Sequence, residues 1–280
     1  MERMTIANSF RSGLNSELNK PEQRWGARIE RARALHHNPP AFAAALRLYE
    51  PTLEFQREVA LASRSVLNPQ IPLRIQLDVA LACSKLPALL AIAQKHGPDA
   101  LRARAKTLHQ EGEAVWRRLF ESALGSSESV PNNIDAFFVR ACLQPIAESL
   151  QFQLAPDRNY AKSICPACGG LPQAAVLRPE GEGASRYLLC SFCLREWLFR
   201  RIVCPFCGEE DKEKLPRYSA EQCDYIHVEA CDACLHYLKA VDMNINGHAV
   251  PLVDEAALAV LDLWAAEHGY TKMIPNLIGF

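Results

Sequence analysis

Four cysteine motifs determine how the second half of this chain folds: CPACGG (165–170), CSFC (190–193), CPFCGEE (204–210) and CDAC (231–234). Two CxxC pairs about 20 residues apart are typical of a metal site, because a tetrahedral ion takes four soft ligands and each short turn provides two. Since 21 residues separate the pairs of the first set and 23 those of the second, the sequence predicts two such sites. The candidate ligands are Cys165, Cys168, Cys190, Cys193, Cys204, Cys207, Cys231 and Cys234.

The two sets resemble each other as the halves of an internal duplication. Each begins with Cys-Pro-x-Cys-Gly and ends with Cys-x-x-Cys-Leu, and the offset from Cys165 to Cys204 is 39 residues. A duplication favours sequential pairing, in which the first two CxxC pairs share one ion and the last two share another. A cross-brace arrangement, in which the first pair joins the third, is the alternative, but it does not require the halves to be alike.

The composition is that of a globular protein, and the cysteines favour a reducing compartment. Of 280 residues, 49% are hydrophobic and 22% are charged, with a net charge of −1. The first residues, MERMTIANSF, contain no apolar segment of the secretory kind, and no apolar run is long enough to span a membrane. We therefore expect a cytoplasmic protein that does not insert into a membrane, with metal-bound thiolates in place of a disulfide framework.

Apolar residues recur at helical spacing through the first half of the chain. They predict helices from Pro21 to residue 37, from residue 42 to Leu67 with a kink or split at Pro51, over 73–95, over 98–124 and over 133–154. No strand-like alternation occurs before residue 160. The sequence thus predicts an all-α domain over residues 1–160.

Short hydrophobic runs replace these helical patterns in the second half. Residues 187–189 and 225–228 lead into the second CxxC pair of each set, as strands do in zinc ribbons. Trp197 and its neighbours suggest a helical turn, and Asp254 suggests an N-cap for a helix over 255–268. The predicted fold class is α+β: a helical domain (1–160), two tandem rubredoxin-like or zinc-ribbon-like CxxC metal modules (161–200 and 201–245), and a C-terminal helix with its tail (246–280).

Four thiolates around one divalent ion leave no open coordination position. Such a site is structural or transfers electrons, and it cannot generate the metal-bound water that a hydrolase needs. By ligand type a tetrathiolate site suits zinc and iron equally well. Gly169 and Gly208 provide the positive φ that a CxxC turn requires, whereas Leu194 and Leu235 at the same position of the later pairs suggest less regular turns.

The remaining candidates have weaker signals. Cys83 and Cys142 lie on helical faces and are expected in the core, and no role is predicted for Cys223. Arg195, Trp197, Arg200 and Arg201 lie between the two modules. They either compensate the charge of the thiolate sites or form a partner-binding patch.

The motifs resemble the formate dehydrogenase accessory protein family, FdhE. The resemblance rests on CPACGGLP, RYLLCSFCLREWLFRRIVCPFCG and VEACDACLHYLKAVD, and it extends to PAFAAALRLYEPTLEFQ, DAFFVRACLQPIAESL and the PNLIGF tail. It implies a helical domain followed by rubredoxin-like modules, with ferric iron held by the CxxC cysteines, one ion per module, and zinc as the alternative. It also implies a cytoplasmic maturation factor whose partner is the catalytic subunit of a molybdenum-dependent formate dehydrogenase bound for Tat export.

The leading hypothesis is therefore a non-enzymatic accessory protein that binds this subunit, because no phosphate-binding loop, HExxH helix or nucleophile elbow is found. A nucleic-acid-binding zinc ribbon is disfavoured: residues 160–245 carry ten Lys/Arg against twelve Asp/Glu, a net charge of −2, and phosphate binding needs the opposite sign. A rubredoxin-like electron carrier shares the metal sites but does not need the helical domain. The sequence leaves homodimerisation open.

Overall fold

The computed structural model describes residues 20–36, 40–125, 134–155, 159–181, 183–220 and 223–279. Within these ranges six α-helices precede the first strand, and the predicted helical N-terminal half is confirmed. A short 3₁₀ helix, Leu73–Gln76, lies between α2 and α3. The six are α1 (Pro21–His36), α2 (Pro40–Ala62), α3 (Val79–His96), α4 (Asp99–Glu111), α5 (Glu113–Gly125) and α6 (Ile134–Gln151).

Several helix boundaries differ from the predicted ones. The segment predicted as one helix over 98–124 is two helices, because Gly112 adopts a φ of 79° and ends α4, and the indole N–H of Trp116 donates to the Leu108 carbonyl 2.6 Å away. In contrast, α2 continues through Pro51 without a break. The predicted start of α3 at residue 73 belongs to the 3₁₀ helix; α3 itself begins after Asp78, whose carboxylate accepts from the Leu81 N–H at 2.8 Å.

The second half forms one seven-stranded sheet, in which the first six strands lie in the order β3-β2-β1-β6-β5-β4 and β7 pairs with β6. The predicted strand at 187–189 lies in β2 and the one at 225–228 lies in β5. The predicted helical turn at Trp197 is wrong, because this residue lies in β3, paired with Leu188 of β2. The strands are β1 (Pro172–Glu180), β2 (Gly183–Cys190), β3 (Glu196–Leu198), β4 (Arg217–Ala220), β5 (Cys223–Cys231), β6 (His236–Asp242) and β7 (Thr271–Lys272).

The two halves of the sheet have the same strand order and are related by a translation across the sheet. Strands β1, β2 and β3 form one antiparallel meander, and β4, β5 and β6 form another. The two are joined where β1 pairs in parallel with β6, over 174–177 and 239–242. The first strand of one module therefore adds to the last strand of the other, and the tandem modules share a single sheet.

The C-terminal segment forms two helices, α7 (Pro251–Ala257) and α8 (Ala259–Glu267), where one helix over 255–268 was predicted. The buried ammonium group of Lys239 explains the break: it donates to the carbonyl of Glu255 and, at 3.1 Å, to that of Leu258. Asp254 does not cap a helix start as predicted. It lies inside α7, where its carboxylate accepts from the Val250 N–H at 2.7 Å and pairs with Arg31 at 2.6 Å.

A continuous core joins the helical half to the sheet. Buried residues of α1 to α6, both meanders and α7 form one packed cluster. Helix α7 lies between α1 and α2 on one side and β1 and β6 on the other. The tail also packs on the body, since Met273 and Leu277 are buried. Among the described helices, none combines the length and the apolar character that crossing a bilayer would require.

Candidate metal centres

The first centre brings together Cys165, Cys168, Cys190 and Cys193, whose sulfurs all lie within 4.8 Å of one another. The first two residues lie in the turn before β1, and the other two lie at the end of β2. The Sγ atoms of Cys165 and Cys193 are 3.5 Å apart, as are those of Cys168 and Cys190. Three of the four side chains are buried and Cys168 is half-buried.

The second centre contains Cys204, Cys207, Cys231 and Cys234 in the same arrangement. The Sγ atoms of Cys204 and Cys234 are 3.7 Å apart, as are those of Cys207 and Cys231. The cysteines therefore group in sequential order and not as a cross-brace. This centre lies closer to the surface, because Cys207 is exposed and Cys234 is half-buried.

Both sets fit a tetrahedral metal ion. Metal–sulfur bonds of about 2.3 Å give a tetrahedron with edges of about 3.8 Å, close to the observed sulfur–sulfur distances. Peptide N–H groups point at the sulfurs as well: Ala167 donates to Cys165 at 3.4 Å and Phe192 to Cys190 at 3.3 Å. Such bonds stabilise thiolates that are bound to a metal.

In all four CxxC turns the residue that follows the second cysteine has a positive φ. The residues after the pairs have φ of 71° at Gly169, 57° at Leu194, 81° at Gly208 and 57° at Leu235. The expectation that the two leucine-containing turns are less regular is therefore wrong. Because a left-handed leucine costs about 1–2 kcal/mol, the geometry of the cysteine turn overrides the local preference of the side chain.

Position 170 needs a glycine because its backbone lies close to the sulfurs of the first centre. A Cβ atom at this position would lie 3.2 Å from the sulfur of Cys190 and 3.3 Å from that of Cys168. The Arg74 side chain lies on the same side, since one of its terminal nitrogens would be 3.6 Å from that Cβ. Its Nε donates to the Cys168 carbonyl at 3.0 Å.

A second arginine from the helical domain, Arg140 of α6, also lies behind the first centre. Its guanidinium donates to the Ser191 carbonyl at 3.0 Å, to Gln173 at 2.7 Å and to the Pro275 carbonyl at 2.6 Å. Burial lowers its pKa to about 10, while the charge of Cys190 acts in the opposite direction. Arg74 and Arg140 therefore place two cations beside a centre whose thiolates would leave it anionic.

The four thiols of a centre do not ionise equally. Hydrogen bonds with the other cysteines, Cys165 first, hold the pKa of Cys168 well below its usual value. Burial raises the pKa values of Cys190 and Cys193 well above the usual value of a cysteine thiol. Burial also raises the pKa of Cys234 in the second centre. Because adjacent thiolates repel one another, a cation is needed before all four can be deprotonated.

The predicted patch between the modules is largely internal. The buried guanidinium of Arg195 donates to carbonyls at the end of α6, including that of Ala155 at 2.8 Å, and the Trp197 indole donates to the Lys162 carbonyl at 2.9 Å. Arg195 therefore joins the end of the helical domain to the sheet, whereas Trp197 fixes the segment that leads into the first cysteine turn. Both side chains are buried and are not available to a partner. Arg200 is exposed but pairs with Glu210 at 2.5 Å. Arg201 is exposed, and it has no ion-pair partner in the described part of the chain.

The other cysteines lie apart from both centres. Cys83 and Cys142 are buried in the helical core, as expected, and burial raises the pKa of each. Cys223 is buried at the start of β5 and belongs to neither set of clustered sulfurs. His236, near the second centre, stacks on Phe206 with the ring centroids 3.6 Å apart.

Sequence reasoning missed the contribution of the helical domain to the first centre. Arg74, Arg140 and Gln144 all reach its turns, and Gln144 donates to the Ser191 carbonyl at 2.7 Å. One signal was present: an arginine stands within the apolar run FFVRACL. A charged side chain in such a run needs a buried partner, and here that partner is the second cysteine turn.

The fold and the site together define a class of protein: a helical domain fused to a sheet that carries two clusters of four cysteines, each able to hold a metal ion. Family models describing the FdhE central domain and the FdhE C-terminal domain match residues 164–201 and 202–278. The chain is 31% identical to the FdhE homolog of Aquifex aeolicus over 197 residues, 69% of this chain and 68% of that protein. It is 37% identical to the Pseudomonas aeruginosa homolog over 125 residues, 42% of this chain and 40% of that protein.

A solved structure agrees over a larger part of the chain. The crystal structure of the FdhE protein from Pseudomonas aeruginosa superposes with a TM-score of 0.68 at 26% sequence identity, covering 92% of this chain and 96% of that one. This chain belongs to the FdhE family.

Proposed function

We propose that this protein is a non-enzymatic accessory factor for formate dehydrogenase, which binds the catalytic subunit of the enzyme in the cytoplasm before export. The observation that carries the proposal is the combination of family membership with two metal centres that have no open coordination position. A closed centre offers no site where a substrate could bind to the metal. Binding to a client protein is then the function that the helical domain and the shared sheet support best.

The eight CxxC cysteines would hold one ion in each centre. We favour ferric iron, because the motifs resemble a family associated with iron, and zinc is the alternative that the same ligands accept. When bound, iron would supply one-electron redox chemistry, and either metal would supply cross-links that stabilise the turns. The protein's own contribution is to orient the sulfurs through the turn N–H groups and to balance their charge with Arg74 and Arg140.

The two centres are suited to different tasks. The first centre packs against α6 of the helical domain and has three buried cysteines. Its role would be to hold the modules against α6. The second exposes Cys207 and lies in a module whose surface also exposes Phe206 and Leu235. We therefore propose that the client contacts the second module.

Two further parts of the hypothesis stand as proposals. The chain is proposed to divide functionally into a helical domain (1–160), two metal modules (161–200 and 201–245) and a C-terminal segment (246–280), although one sheet and one core connect them. The second proposal is a homodimer of this chain. The nucleic-acid alternative gains no support from the net charge of −2 over residues 160–245, and the electron-carrier alternative does not explain the helical domain.

The test is direct binding between purified proteins. The full-length chain and the cofactor-free catalytic subunit of formate dehydrogenase from the same bacterium should form a complex that elutes together in size-exclusion chromatography. A catalytic subunit that stays separate at every concentration would refute client binding. Metal analysis and a visible spectrum of the same preparation would identify the ion, because ferric tetrathiolate is coloured whereas d¹⁰ zinc is not.

A further inference from the structure

A cavity of about 420 Å³ opens between the two meanders, beside the second metal centre. Its walls come from parts of the chain that are distant in sequence: Leu177 of β1, Val203 and Leu215 of the connecting loops, Leu238 of β6 and Met273 of the tail. All of these side chains are apolar. A cavity of this volume can accommodate a small organic ligand or one or two large side chains of a protein partner.

The charged residues of the cavity are mostly cationic. Arg186, Arg201, Lys212 and Arg217 line it together with one carboxylate, that of Glu229, so the Lys, Arg and Glu side chains alone carry a surplus of three positive charges beside the cysteines of the second centre. Glu229 is already engaged, because the buried guanidinium of Arg186 pairs with it at 2.7 Å. This surplus is local, since the whole chain has a net charge of −1.

Two of these cations are available to a ligand. Arg201 and Lys212 are exposed, and neither forms an ion pair with any residue that the structure describes. The one hydrogen bond recorded for the Arg201 guanidinium goes to the Ala184 carbonyl at 3.3 Å. Arg217 is partly engaged, with one terminal nitrogen 3.7 Å from Glu229. An anion at the cavity mouth would therefore not have to displace a carboxylate of the described residues from Arg201 or Lys212.

The surface around the mouth extends the apolar character of the cavity. Ile202, which also lines the cavity, is 51% exposed. Phe206 is 49% exposed and stacks on His236, a lining residue. Leu235, which follows Cys234 in the last cysteine turn, is 53% exposed. These three side chains add apolar surface beside the cavity that a protein partner could cover.

We propose that this cavity binds a segment of the client protein in which a bulky apolar side chain is flanked by acidic residues. The apolar side chain enters between Leu177, Leu215 and Leu238, while the acidic neighbours face Arg201 and Lys212. A peptide explains both the charge and the exposed apolar rim, whereas a small organic anion would leave Ile202 and Phe206 uncovered. The inference rests on the proposed function, since it assigns the place where the client is recognised.

The test measures the affinity of the full-length, metal-loaded protein for the cofactor-free catalytic subunit and for short overlapping peptides that cover its sequence. The double variant R201E/K212E should lower the affinity for the catalytic subunit at least about tenfold, because it replaces two attractive charges by two repulsive ones. Ala230→Phe, which places a ring in the cavity, should lower it as well without changing the surface charge. The peptides that bind should combine a large apolar residue with Asp or Glu.

Arg118→Glu provides a control for charge reversal at a single exposed site, because Arg118 is an exposed residue of α5 in the helical domain, far along the chain from the cavity. It should bind the client as the wild type does. Metal content and circular dichroism show whether each variant is folded, and the charge variants remain informative if Ala230→Phe fails to fold, because both changed residues are exposed.

The outcomes separate this inference from the proposed function. Wild-type binding that is unaffected by R201E/K212E overturns the cavity as the docking site and leaves client binding intact. Absence of any complex with the wild type refutes the proposed function itself. If octanoate binds in the cavity while none of the peptides does, the site belongs to small amphipathic anions and the peptide proposal is overturned.

Discussion

At the scale of single residues, the first metal centre tolerates little change because its sulfurs are packed against backbone. Gly170 is the clearest example, since any side chain there would meet two of the four sulfurs. A glycine is therefore needed at this position, because the sulfurs leave no room for a side chain. A change that adds one methyl group tests whether the first centre has the packing described.

Gly170→Ala should reduce metal binding at the first centre and leave the second unchanged. The added carbon would lie 3.2–3.3 Å from the sulfurs of Cys190 and Cys168, which is tighter than ordinary contact and would displace a ligand. Metal content should fall from about two ions per chain toward one. Gly183→Ala is the control, because a Cβ at Gly183 has no neighbour within 4 Å. Full occupancy in Gly170→Ala would show that the centre can move aside.

A buried cluster of charged side chains lies between β6 and the C-terminal helices. Lys239 pairs with Asp262 at 2.5 Å, and Lys272 pairs with Glu255 at 2.5 Å and with Asp262 at 2.8 Å. Although burial alone would raise the pKa of Asp262, the two ammonium groups hold it below its usual value of 3.8. The carboxylate therefore stabilises the fold while it is ionised.

The stabilisation from Asp262 should be fully present above about pH 4 and should decrease as the pH falls below the usual carboxyl value. Asp262→Asn should lower the free energy of unfolding at pH 7 by about 3 kcal/mol, because it leaves the buried lysines with one carboxylate. The deficit should shrink at pH 3, because protonation of the Asp262 carboxyl in the unfolded chain then lowers the stability of the wild type. Urea unfolding at both pH values measures it. The exposed Asp99→Asn is the control, and a pH-independent deficit would contradict the prediction.

At the scale of elements, the four cysteine turns share a positive φ after the second cysteine but differ in exposure. Arg74 contacts the turn Cys165–Cys168 and α6 contacts the turn Cys190–Cys193, whereas Cys207 and Leu235 of the second centre face solvent. A chelator must reach a metal–sulfur bond before it can extract the ion. Two centres with the same ligands should therefore release their metals at different rates.

We expect a chelator to remove metal from this protein in two phases, with the second centre emptying first. Release followed by a coloured indicator should be biphasic in the wild type. In the double variant C204S/C207S the fast phase should disappear, and in C165S/C168S the slow phase should disappear. A wild-type trace with a single phase, or loss of the slow phase in C204S/C207S, would contradict the assignment.

At the scale of the whole molecule, a small number of buried polar contacts fasten the helical half to the rest. Arg31 of α1 pairs with Asp254 of α7, which is fully buried, and Tyr225 of β5 donates to the same carboxylate at 2.8 Å. Arg140 likewise connects α6 with the cysteine turn and the tail. Because these contacts cross between the parts, the helices and the sheet should unfold together.

Arg31→Met should destabilise the whole protein by about 3 kcal/mol, because it leaves the buried Asp254 carboxylate with the Tyr225 hydroxyl and one peptide N–H. The double variant R31M/D254N should recover part of this loss, since it removes the unpaired charge. Thermal unfolding followed by circular dichroism should keep a single transition in both. Arg33→Met is the control, as Arg33 pairs with Glu50 and Glu54 at the surface. Two separate transitions in Arg31→Met would show that the halves are independent.

Local patterns along the chain were sufficient to predict the class of fold and the two ligand sets. Helical periodicity requires only neighbours along the chain, so the helical half was predictable, as were the strands that lead into the second CxxC pairs. The duplication of CPxCG and CxxCL indicated which cysteines belong together, and the structure groups them in that order. Helix ends were less predictable: the break at Leu258 depends on the buried ammonium of Lys239, which lies 19 residues earlier.

The way in which the two modules meet depends on long-range packing. Neither the parallel pairing of β1 with β6 nor the cavity beside it can be derived from local patterns, because each joins segments that are far apart in the sequence. The same holds for Arg74 and Arg140, which reach the first centre from the helical domain, and for Arg195 and Trp197, which the fold buries. Local chemistry selects the ligands of a metal, whereas long-range packing decides which charges surround it and which side of it a partner can reach.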